Sequence, residues 1–331
     1  MKTNCTLVFD IGKTNQKYFV FDENRGVLDK GQTNIPTIVD EDEHPAEDIK
    51  EIVQWMTTNF ERLLNSDLFE IKNANISGHG ATFVHLDSEG EVVTPVYDYH
   101  KPIEENTFDS FYHKYGPEAN FSTQTGSKNV EMLNSGKQIY WLKTKRPELF
   151  EKVKHSLHLP QYLSYVFTGK MFSEYSSIGC HTDLWDFEKQ QYHQWVLKEG
   201  IIDLLPPIAR ANETVSSDFS GKKINFGIGI HDSSAALLPY FKKSEATFLL
   251  ISTGTWCITF NPFVSNSVFS QAEINNGAIA YMKIDGSIVK TSRLFMGQEH
   301  KIQVKKLISQ FEKSELYHRN LKFNNQIFNS I

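Results

Sequence analysis

The sequence predicts an α/β fold of two related domains. A strand, a short polar turn and a second strand are predicted within residues 7–21, and the same plan recurs within residues 247–260. Between these hairpins, an amphipathic helix at residues 46–65 is followed by a returning strand, which is typical of α/β domains. We therefore interpret the chain as an internal duplication, with domains at residues 1–244 and 245–331.

The first hairpin is expected to extend into a meander. Leu7–Phe9 is an apolar run, residues 11–15 form a polar turn, and Tyr18–Phe21 is a second run rich in β-formers. A third strand is expected around residues 26–33. Asp10 would then stand where the first strand enters its turn.

Helical spacing of apolar residues predicts the helix at residues 46–65. The positions that would face a core are Ile49, Ile52, Val53, Met56, Phe60, Leu63 and Leu64. Residues 74–77 then have the pattern of a strand that places Gly78, His79 and Gly80 at its carboxyl end.

The middle of the chain, residues 105–215, is predicted to be mainly helical. Candidate helices lie at residues 136–145, 160–168 and 191–199, separated by Gly, Pro and Asn turns. An insertion of this kind could build one wall of a cleft. Further along the chain, a strand ending at Asp232 precedes a helix that starts at small residues.

Composition favours a globular protein that handles a small ligand. Of the 331 residues, 40% are hydrophobic and 22% are charged, which suits two packed cores. The formal net charge of −6 provides no broad attraction to nucleic acid or to an anionic membrane. Neither of these partners is therefore expected.

Cysteine usage and hydropathy predict a cytoplasmic protein. Cys5, Cys180 and Cys257 share no metal-type spacing and suit a reducing compartment. The amino-terminal apolar run reaches Asp10 too soon for a signal peptide. No segment approaches the ~20 apolar residues that a membrane-spanning helix needs.

Two polar turns have the composition of phosphate-binding loops. In the first, Asp10 could hold Mg²⁺ through water, and hydroxyl, amide and ammonium donors follow it. These donors belong to the segment Gly12, Lys13, Thr14, Asn15 and Lys17. The second turn offers Gly254 and Thr255. The first segment alone is equally compatible with an ordinary hairpin turn, and no GxxxxGK[ST] motif is present.

The strand-to-helix junction at Asp232 is a candidate catalytic site. An Asp in this position could accept the proton of an attacking hydroxyl, and the helix N-terminus would attract anionic oxygens. The alternative is that Asp232 only caps its helix. The two phosphate turns favour catalysis over capping alone.

Two other kinds of site are disfavoured. The pairs His231–Asp232 and His79–His85 lack a carboxylate-rich set of metal ligands around them, so a transition-metal site is not expected. A serine hydrolase is not expected either, because no GxSxG elbow is present.

Four segments together resemble the ordered landmarks of the FGGY carbohydrate kinases, which belong to the actin-like ATPase superfamily. The segments are FDIGKTNQKYFVFD, ISGHGATFVHLD, GIHDSSAALLPY and ISTGTWCITF. The middle stretch LHLPQYLSYVFTGKMFSEYSSIGCHTDLWD is similar to rhamnulokinases and fuculokinases. The resemblance spans about residues 5–300.

The resemblance implies duplicated ribonuclease H-like domains, with sugar bound mainly by the first lobe and ATP by the second. It implies that Asp232 is the general base for phosphorylation of a deoxyhexulose or pentulose at a terminal hydroxyl, with Mg²⁺ near Asp10. The implied nucleotide-binding residues are Gly12, Lys13, Thr14, Asn15, Lys17, Gly254 and Thr255. The implied sugar-binding residues are His79, Gly80, Thr82, His231 and Ser233. Gly80 is equally compatible with a simple turn glycine, and a homodimer stays open as the oligomeric state.

The chain departs from the family pattern in two places. Rhamnulokinases typically carry Trp-Gly-x-Asp where this chain has His79-Gly80-Ala81-Thr82, so the substrate need not be rhamnulose. The family's glycine-rich adenosine-binding loop is not found after Gly297. The resemblance therefore implies that the second domain is incomplete and predicts a truncated product or a fragment. The alternatives to a ketose kinase are therefore a remnant that binds sugar without turning over ATP, or a sugar-independent actin-like ATPase.

Overall fold

The computed structural model describes residues 2–104, 106–243, 246–253, 257–264 and 268–329. Its amino-terminal elements are β1 (Thr3–Ile11), β2 (Gln16–Asp22), β3 (Val27–Thr33), β4 (Ile38–Val39), β5 (Pro45–Glu47), α1 (Ile49–Leu64), β6 (Phe69–Gly78), β7 (Phe83–Leu86) and β8 (Val96–Tyr97). The predicted meander, helix and returning strand are confirmed. Strand β6 starts earlier than predicted because it pairs in parallel with β1 along the whole length of β1, from Thr3 opposite Phe69 to Ile11 opposite Gly78.

The middle of the chain is mainly helical, as predicted. Its elements are α2 (Asp109–Tyr115), α3 (Glu118–Thr125), a 3₁₀ turn (Glu131–Leu133), α4 (Ser135–Lys145), α5 (Pro147–Phe150), β9 (His155–His158), α6 (Leu159–Thr168), β10 (Ser173–Glu174), α7 (Tyr175–Ile178), β11 (Trp185–Asp186), β12 (Gln191–Tyr192), α8 (Gln194–Lys198), a second 3₁₀ turn (Ile201–Leu204) and β13 (Ile208–Ala209). The helices predicted at residues 136–145 and 160–168 are confirmed.

The prediction of a helix at residues 191–199 was wrong for its first residues. Gln191 and Tyr192 instead form a short strand that pairs with β11. Helix α8 begins only after His193, whose Nδ1 accepts a hydrogen bond from the backbone N–H of Trp195 at 3.4 Å. Pairing with β11 therefore overrides the helical spacing of the apolar residues.

The last part of the chain adds a second, smaller sheet. Its elements are β14 (Thr214–Phe219), β15 (Lys222–Gly227), β16 (Ile230–His231), α9 (Asp232–Lys243), β17 (Leu250–Ser252), β18 (Cys257–Asn261), α10 (Gln271–Asn275), β19 (Ala278–Met282), β20 (Ile288–Leu294), α11 (Met296–Gln310), a 3₁₀ turn (Tyr317–Asn320) and α12 (Asn325–Phe328). Strands β17 and β18 form the predicted second hairpin within an antiparallel sheet of order β17-β18-β20-β19. The domain division at residue 244 stays a prediction, and residues 244 and 245 lie outside the described ranges.

A seven-stranded mixed sheet organises the first part of the molecule. Its order is β14-β15-β6-β1-β2-β3, and β16 also pairs with β6. Helices α1 and α6 bury their apolar faces against this sheet, with Phe60 of α1 and Phe167 of α6 only 5.1 Å apart between ring centroids. Phe167 also stacks on Phe226 of β15 at 5.0 Å. Aromatic packing of this kind holds both helices in fixed positions relative to the carboxyl ends of the strands.

The smaller sheet packs back onto the first part of the chain. Leu237 of α9 lies in one buried cluster with Cys180, Tyr281 and Val289. Ser234 donates a hydrogen bond from Oγ to the carbonyl of Met282 at 2.8 Å, which ties the start of α9 to β19. The α/β class is thus confirmed, and no helix among the described residues is both long and apolar enough to cross a membrane.

Candidate active site

Three of the predicted segments meet at one edge of the large sheet. Strands β1 and β16 both run parallel to β6, one on each of its two sides. The register places Asp10 of β1 beside Ser77 of β6, and it places His231 of β16 beside Gly78. Because parallel strands end at the same edge, Asp10, His79 and Asp232 are brought to one side of the molecule.

A cavity of about 380 Å³ opens at this edge. One wall comes from the large sheet and includes Lys13, Gly80 and Asp232. The opposite wall comes from the smaller sheet and includes Tyr281 and Arg293. The cavity therefore lies between the two sheets, with the acid predicted to be catalytic in its lining.

Asp232 is both a helix-terminal residue and a cavity residue. It is the first residue of α9, and its side chain is 35% exposed. Its Oδ1 accepts hydrogen bonds from the backbone N–H of Ser233 at 2.5 Å and from Ser233 Oγ at 3.1 Å. Both bonds come from the residue directly after Asp232 and use one carboxylate oxygen, so they are compatible with proton transfer to the other oxygen.

Asp10 lies close enough to Asp232 for the two carboxylates to interact. Burial first, and then the negative charge of Asp232, raise the pKa of Asp10, while Lys17 acts in the opposite direction. A cation held by Asp10 would offset this repulsion. Mg²⁺ is usually held by one or two carboxylates together with water and substrate phosphates, so Asp10 fits the part of one such carboxylate. Among the described residues, no group of three or more His, Cys, Asp or Glu side chains is arranged to hold a metal ion.

His231 is fixed in place by a chain of hydrogen bonds. Its backbone N–H donates to Ser176 Oγ at 3.0 Å, and Ser176 in turn donates to the buried carboxylate of Glu174. Its ring Nε2 lies 3.4 Å from Cys180 Sγ. Burial lowers the pKa of His231, which favours the neutral ring. These contacts fix the strand end immediately before Asp232.

The turn predicted to bind phosphate is closed by its own hydrogen bonds. The N–H of Gly12 donates to the carbonyl of Asn15 at 3.1 Å, so this N–H is already satisfied. The side chain of Gln16 donates to the Gly12 carbonyl at 3.2 Å and accepts from the Ile35 N–H at 3.0 Å. Thr14 and Asn15 are exposed at the tip of the turn, where a ligand could reach them.

Lys13 has different neighbours from the rest of this turn. Its ammonium forms ion pairs with Glu47 and with Asp98, the latter at 2.7 Å. It also lies 4.9 Å from the centre of the Tyr99 ring. Burial opposes the charge, but the two carboxylates outweigh it and raise the pKa of Lys13, so the side chain stays protonated.

The predicted sugar-binding residues are divided between the cavity and the core. His79, Gly80, His231 and Ser233 line the cavity. Thr82 is not among the lining residues, and it is only 1% exposed. A Cβ at position 80 would lie 2.8 Å from Cys180 Sγ and 2.9 Å from His231 Nε2, so only glycine fits there without a shift.

Two predicted phosphate-binding residues lie outside the described residues, and three residues of the cavity were not predicted from the sequence. Gly254 and Thr255, predicted to bind phosphate, lie outside the described residues. Cys180, Tyr281 and Arg293 line the cavity but carry no motif that sequence reasoning singled out. Arg293 stands at the end of β20, and a cation at a strand end is the signal that could have identified it.

Comparison with known proteins agrees with this geometry. The amino-terminal domain of the FGGY family of carbohydrate kinases matches residues 5–238. A rhamnulokinase of Oceanobacillus iheyensis is 23% identical over 278 residues, which are 77% of this chain and 55% of the relative. An L-fuculokinase of Escherichia coli K12 is 21% identical over 286 residues, which are 82% of this chain and 60% of the relative. The chain thus spans little more than half the length of these relatives.

Solved structures of carbohydrate kinases superpose on this chain. A carbohydrate kinase from Novosphingobium aromaticivorans superposes with a TM-score of 0.80 at 26% identity, covering 92% of this chain and 66% of the other. A xylulose kinase from Lactobacillus acidophilus superposes with a TM-score of 0.73 at 16% identity, covering 94% of this chain and 64% of the other. The predicted actin-like ATPase fold is confirmed by these neighbours. The family match over residues 5–238, on a sheet edge that carries the expected acid, shows that the chain belongs to the FGGY family of carbohydrate kinases.

Proposed function

We propose that this protein takes part in the ATP-dependent phosphorylation of a ketose, a deoxyhexulose or a pentulose, at a terminal hydroxyl. The observation that carries the proposal is the position of Asp232, which lines the cavity between the two sheets at the N-terminus of α9. The relatives named rhamnulokinase and L-fuculokinase support a ketose as the sugar class.

In the proposed reaction, Asp232 acts as the general base. A terminal hydroxyl of the sugar gives its proton to the Asp232 carboxylate as its oxygen attacks the γ-phosphorus of ATP. A new P–O bond forms to the sugar, the bond between the γ-phosphorus and the β,γ-bridging oxygen breaks, and ADP leaves. The N–H and Oγ–H of Ser233, both bound to Asp232 Oδ1, hold the carboxylate in position.

The surrounding groups align the reactants and neutralise charge. The N-terminus of α9 presents a positive dipole end toward the anionic phosphoryl group. Mg²⁺, when bound at Asp10, would neutralise phosphate charge during the transfer. Arg293 lines the cavity opposite Asp232 and supplies a positive charge on that wall. Catalysis by these groups depends on position more than on covalent chemistry.

A coupled ADP-release assay tests the proposed function. The 331-residue chain is incubated with ATP, Mg²⁺ and each of L-rhamnulose, L-fuculose, D-xylulose and L-ribulose. We expect sugar-dependent ADP release with at least one of them, and only background release without sugar. Equal ADP release with and without sugar would instead indicate an actin-like ATPase. Folded protein that binds a sugar but releases no ADP would support the non-catalytic remnant.

Gly80→Ala is expected to weaken sugar binding by about tenfold or more. The added methyl would press on Cys180 Sγ and His231 Nε2 and displace both into the cavity, at the cost typical of overpacking. The measurement is the dissociation constant for the preferred sugar. Gly221→Ala is the control for a general loss of stability. Gly221 has a positive φ of 82°, which strains an alanine, but no atom lies within 4 Å of the added Cβ. Sugar affinity should therefore be unchanged in this control. Unchanged affinity in Gly80→Ala would show that Gly80 is a turn glycine only.

A further inference from the structure

A cluster of charged groups forms part of the cavity wall and comes from four separate elements of the first part of the chain. Lys13 follows β1, Glu47 ends β5, His79 follows β6, and Asp98 with Tyr99 follows β8. Lys13 lies between the two carboxylates, whose side chains are only 7% and 9% exposed. His79 Nε2 lies 3.5 Å from the same Glu47 oxygen. Long-range folding therefore brings together groups that are distant in the sequence.

Of the two carboxylates, Asp98 has a partner on each of its oxygens. Its Oδ2 pairs with Lys13 at 2.7 Å. Its Oδ1 accepts from the backbone N–H of His100 at 2.7 Å and lies 2.9 Å from His100 Nδ1. Burial opposes ionisation, but these contacts lower the pKa of Asp98 below its ordinary value, so the carboxylate is negative at neutral pH.

Among the residues that the structure describes, the partners of the Lys13 ammonium leave one of its N–H groups for a ligand. A lysine ammonium carries three N–H donors, and Glu47 and Asp98 take one each. The side chain is 24% exposed and lines the cavity together with Tyr99. The remaining N–H can donate to a hydroxyl oxygen, while the Tyr99 ring offers an apolar surface to the C–H groups of a sugar.

The charge of the cluster decides which ligand suits it. Two acidic groups face a single ammonium, so the positive charge of Lys13 is more than balanced before any ligand binds. A ligand carboxylate or phosphate placed here would meet two negative groups at short range, which is unfavourable. A neutral hydroxyl meets no such penalty and gains a charge-assisted hydrogen bond.

We infer that Lys13 is a sugar-binding residue that selects neutral ketoses over sugar acids. Its ion pairs with Glu47 and Asp98 hold the ammonium beside the Tyr99 ring. The inference rests on the proposed function, because it assigns the sugar end of the same cavity. It moves Lys13 from the nucleotide-binding set, where the sequence resemblance placed it, to the sugar-binding set.

Binding measured without turnover tests this inference. The full chain is titrated calorimetrically, in the absence of nucleotide, with the four neutral ketoses and with D-gluconate as the sugar acid. We expect a neutral ketose to bind more tightly than D-gluconate. In Lys13→Met the affinity for that ketose should fall about tenfold or more, while the affinity for MgATP, measured in a separate titration without sugar, stays within about twofold. Lys72→Met, an exposed lysine paired with Glu70 away from the cavity, is the matched control.

A second variant, Glu47→Gln, tests the inference independently if Lys13→Met does not fold. Glu47→Gln keeps Lys13 paired with Asp98 but removes one negative charge, so D-gluconate should gain affinity relative to the ketose by about tenfold. Thermal unfolding of each variant establishes that it is folded. Tighter binding of D-gluconate than of any ketose by the wild type, no binding of any ketose, or unchanged ketose affinity in folded Lys13→Met would each overturn the inference. Absence of ADP release would count against the proposed function alone, because these titrations contain no turnover.

Discussion

Asp232→Asn is expected to lower kcat for sugar phosphorylation by about 100- to 10,000-fold, the range that a general base contributes. Asparagine has almost the same shape as aspartate, and its carbonyl can still accept the hydrogen bonds from Ser233. It cannot, however, take the proton of the attacking hydroxyl. Sugar affinity should therefore change only a few-fold while turnover collapses. The measurements are kcat and the sugar dissociation constant for the same protein sample.

The control for this variant is Asp67→Asn. Asp67 is fully exposed and lies 3.7 Å from Lys2. It precedes the amino end of β6, whereas the cavity lies at the carboxyl end of that strand. An exposed pair of this kind contributes little, so the control should keep the wild-type kcat. If Asp232→Asn also kept the wild-type kcat, Asp232 would be a helix cap and the base would have to be sought elsewhere.

Lys137→Met is expected to reduce the free energy of unfolding by about 3–5 kcal/mol, the cost of breaking a buried ion pair. Lys137 and Asp183 are 2.9 Å apart, and neither side chain is exposed at all. The Lys137 ammonium also donates to the hydroxyl of Tyr112 and to Asn129 Oδ1, the latter at 3.0 Å. Removing it leaves a buried carboxylate without its counter-charge. Denaturant unfolding followed by tryptophan fluorescence measures the change, since Trp141 lies in the same core.

Two further variants isolate the effect of the charge. Lys145→Met changes a lysine at the end of the same helix, where the side chain is 37% exposed and 3.7 Å from Glu104, so the loss should be below about 1 kcal/mol. The double variant Lys137→Met with Asp183→Leu removes both charges and should recover much of the stability. Equal losses in Lys137→Met and Lys145→Met would contradict the assignment of the buried pair as a stabilising contact.

Local patterns predicted most of the elements that position the site. The helix at residues 46–65 was visible because its apolar residues face one side, and it is present as α1. The strands on either side of the turn at residues 11–15 were visible from their apolar runs, and they pair as expected. The helix predicted at residues 191–199 failed because strand pairing with β11 is a contact that helical periodicity does not encode.

The candidate site was only partly predictable. His231, Asp232 and Gly80 could be identified because each stands at a strand end with a recognisable neighbourhood, and all three line the cavity. Thr82 was expected beside the sugar from its place in a motif, yet it is buried and is absent from the lining. The difference arises because a motif gives the order of residues, whereas the direction of the Thr82 side chain depends on the path of the backbone between β6 and β7.

By itself, the sequence determined the α/β class, the order of the strands and helices near the site, and the family to which the chain belongs. These properties follow from periodicity, turn residues and short motifs, which are local in the chain. Tertiary structure alone decided that Lys13 lies between Glu47 and Asp98, and that Tyr281 and Arg293 close the cavity opposite Asp232. Those contacts join residues far apart in sequence, and the strength of an ion pair depends on burial and distance, which exist only once the chain has folded.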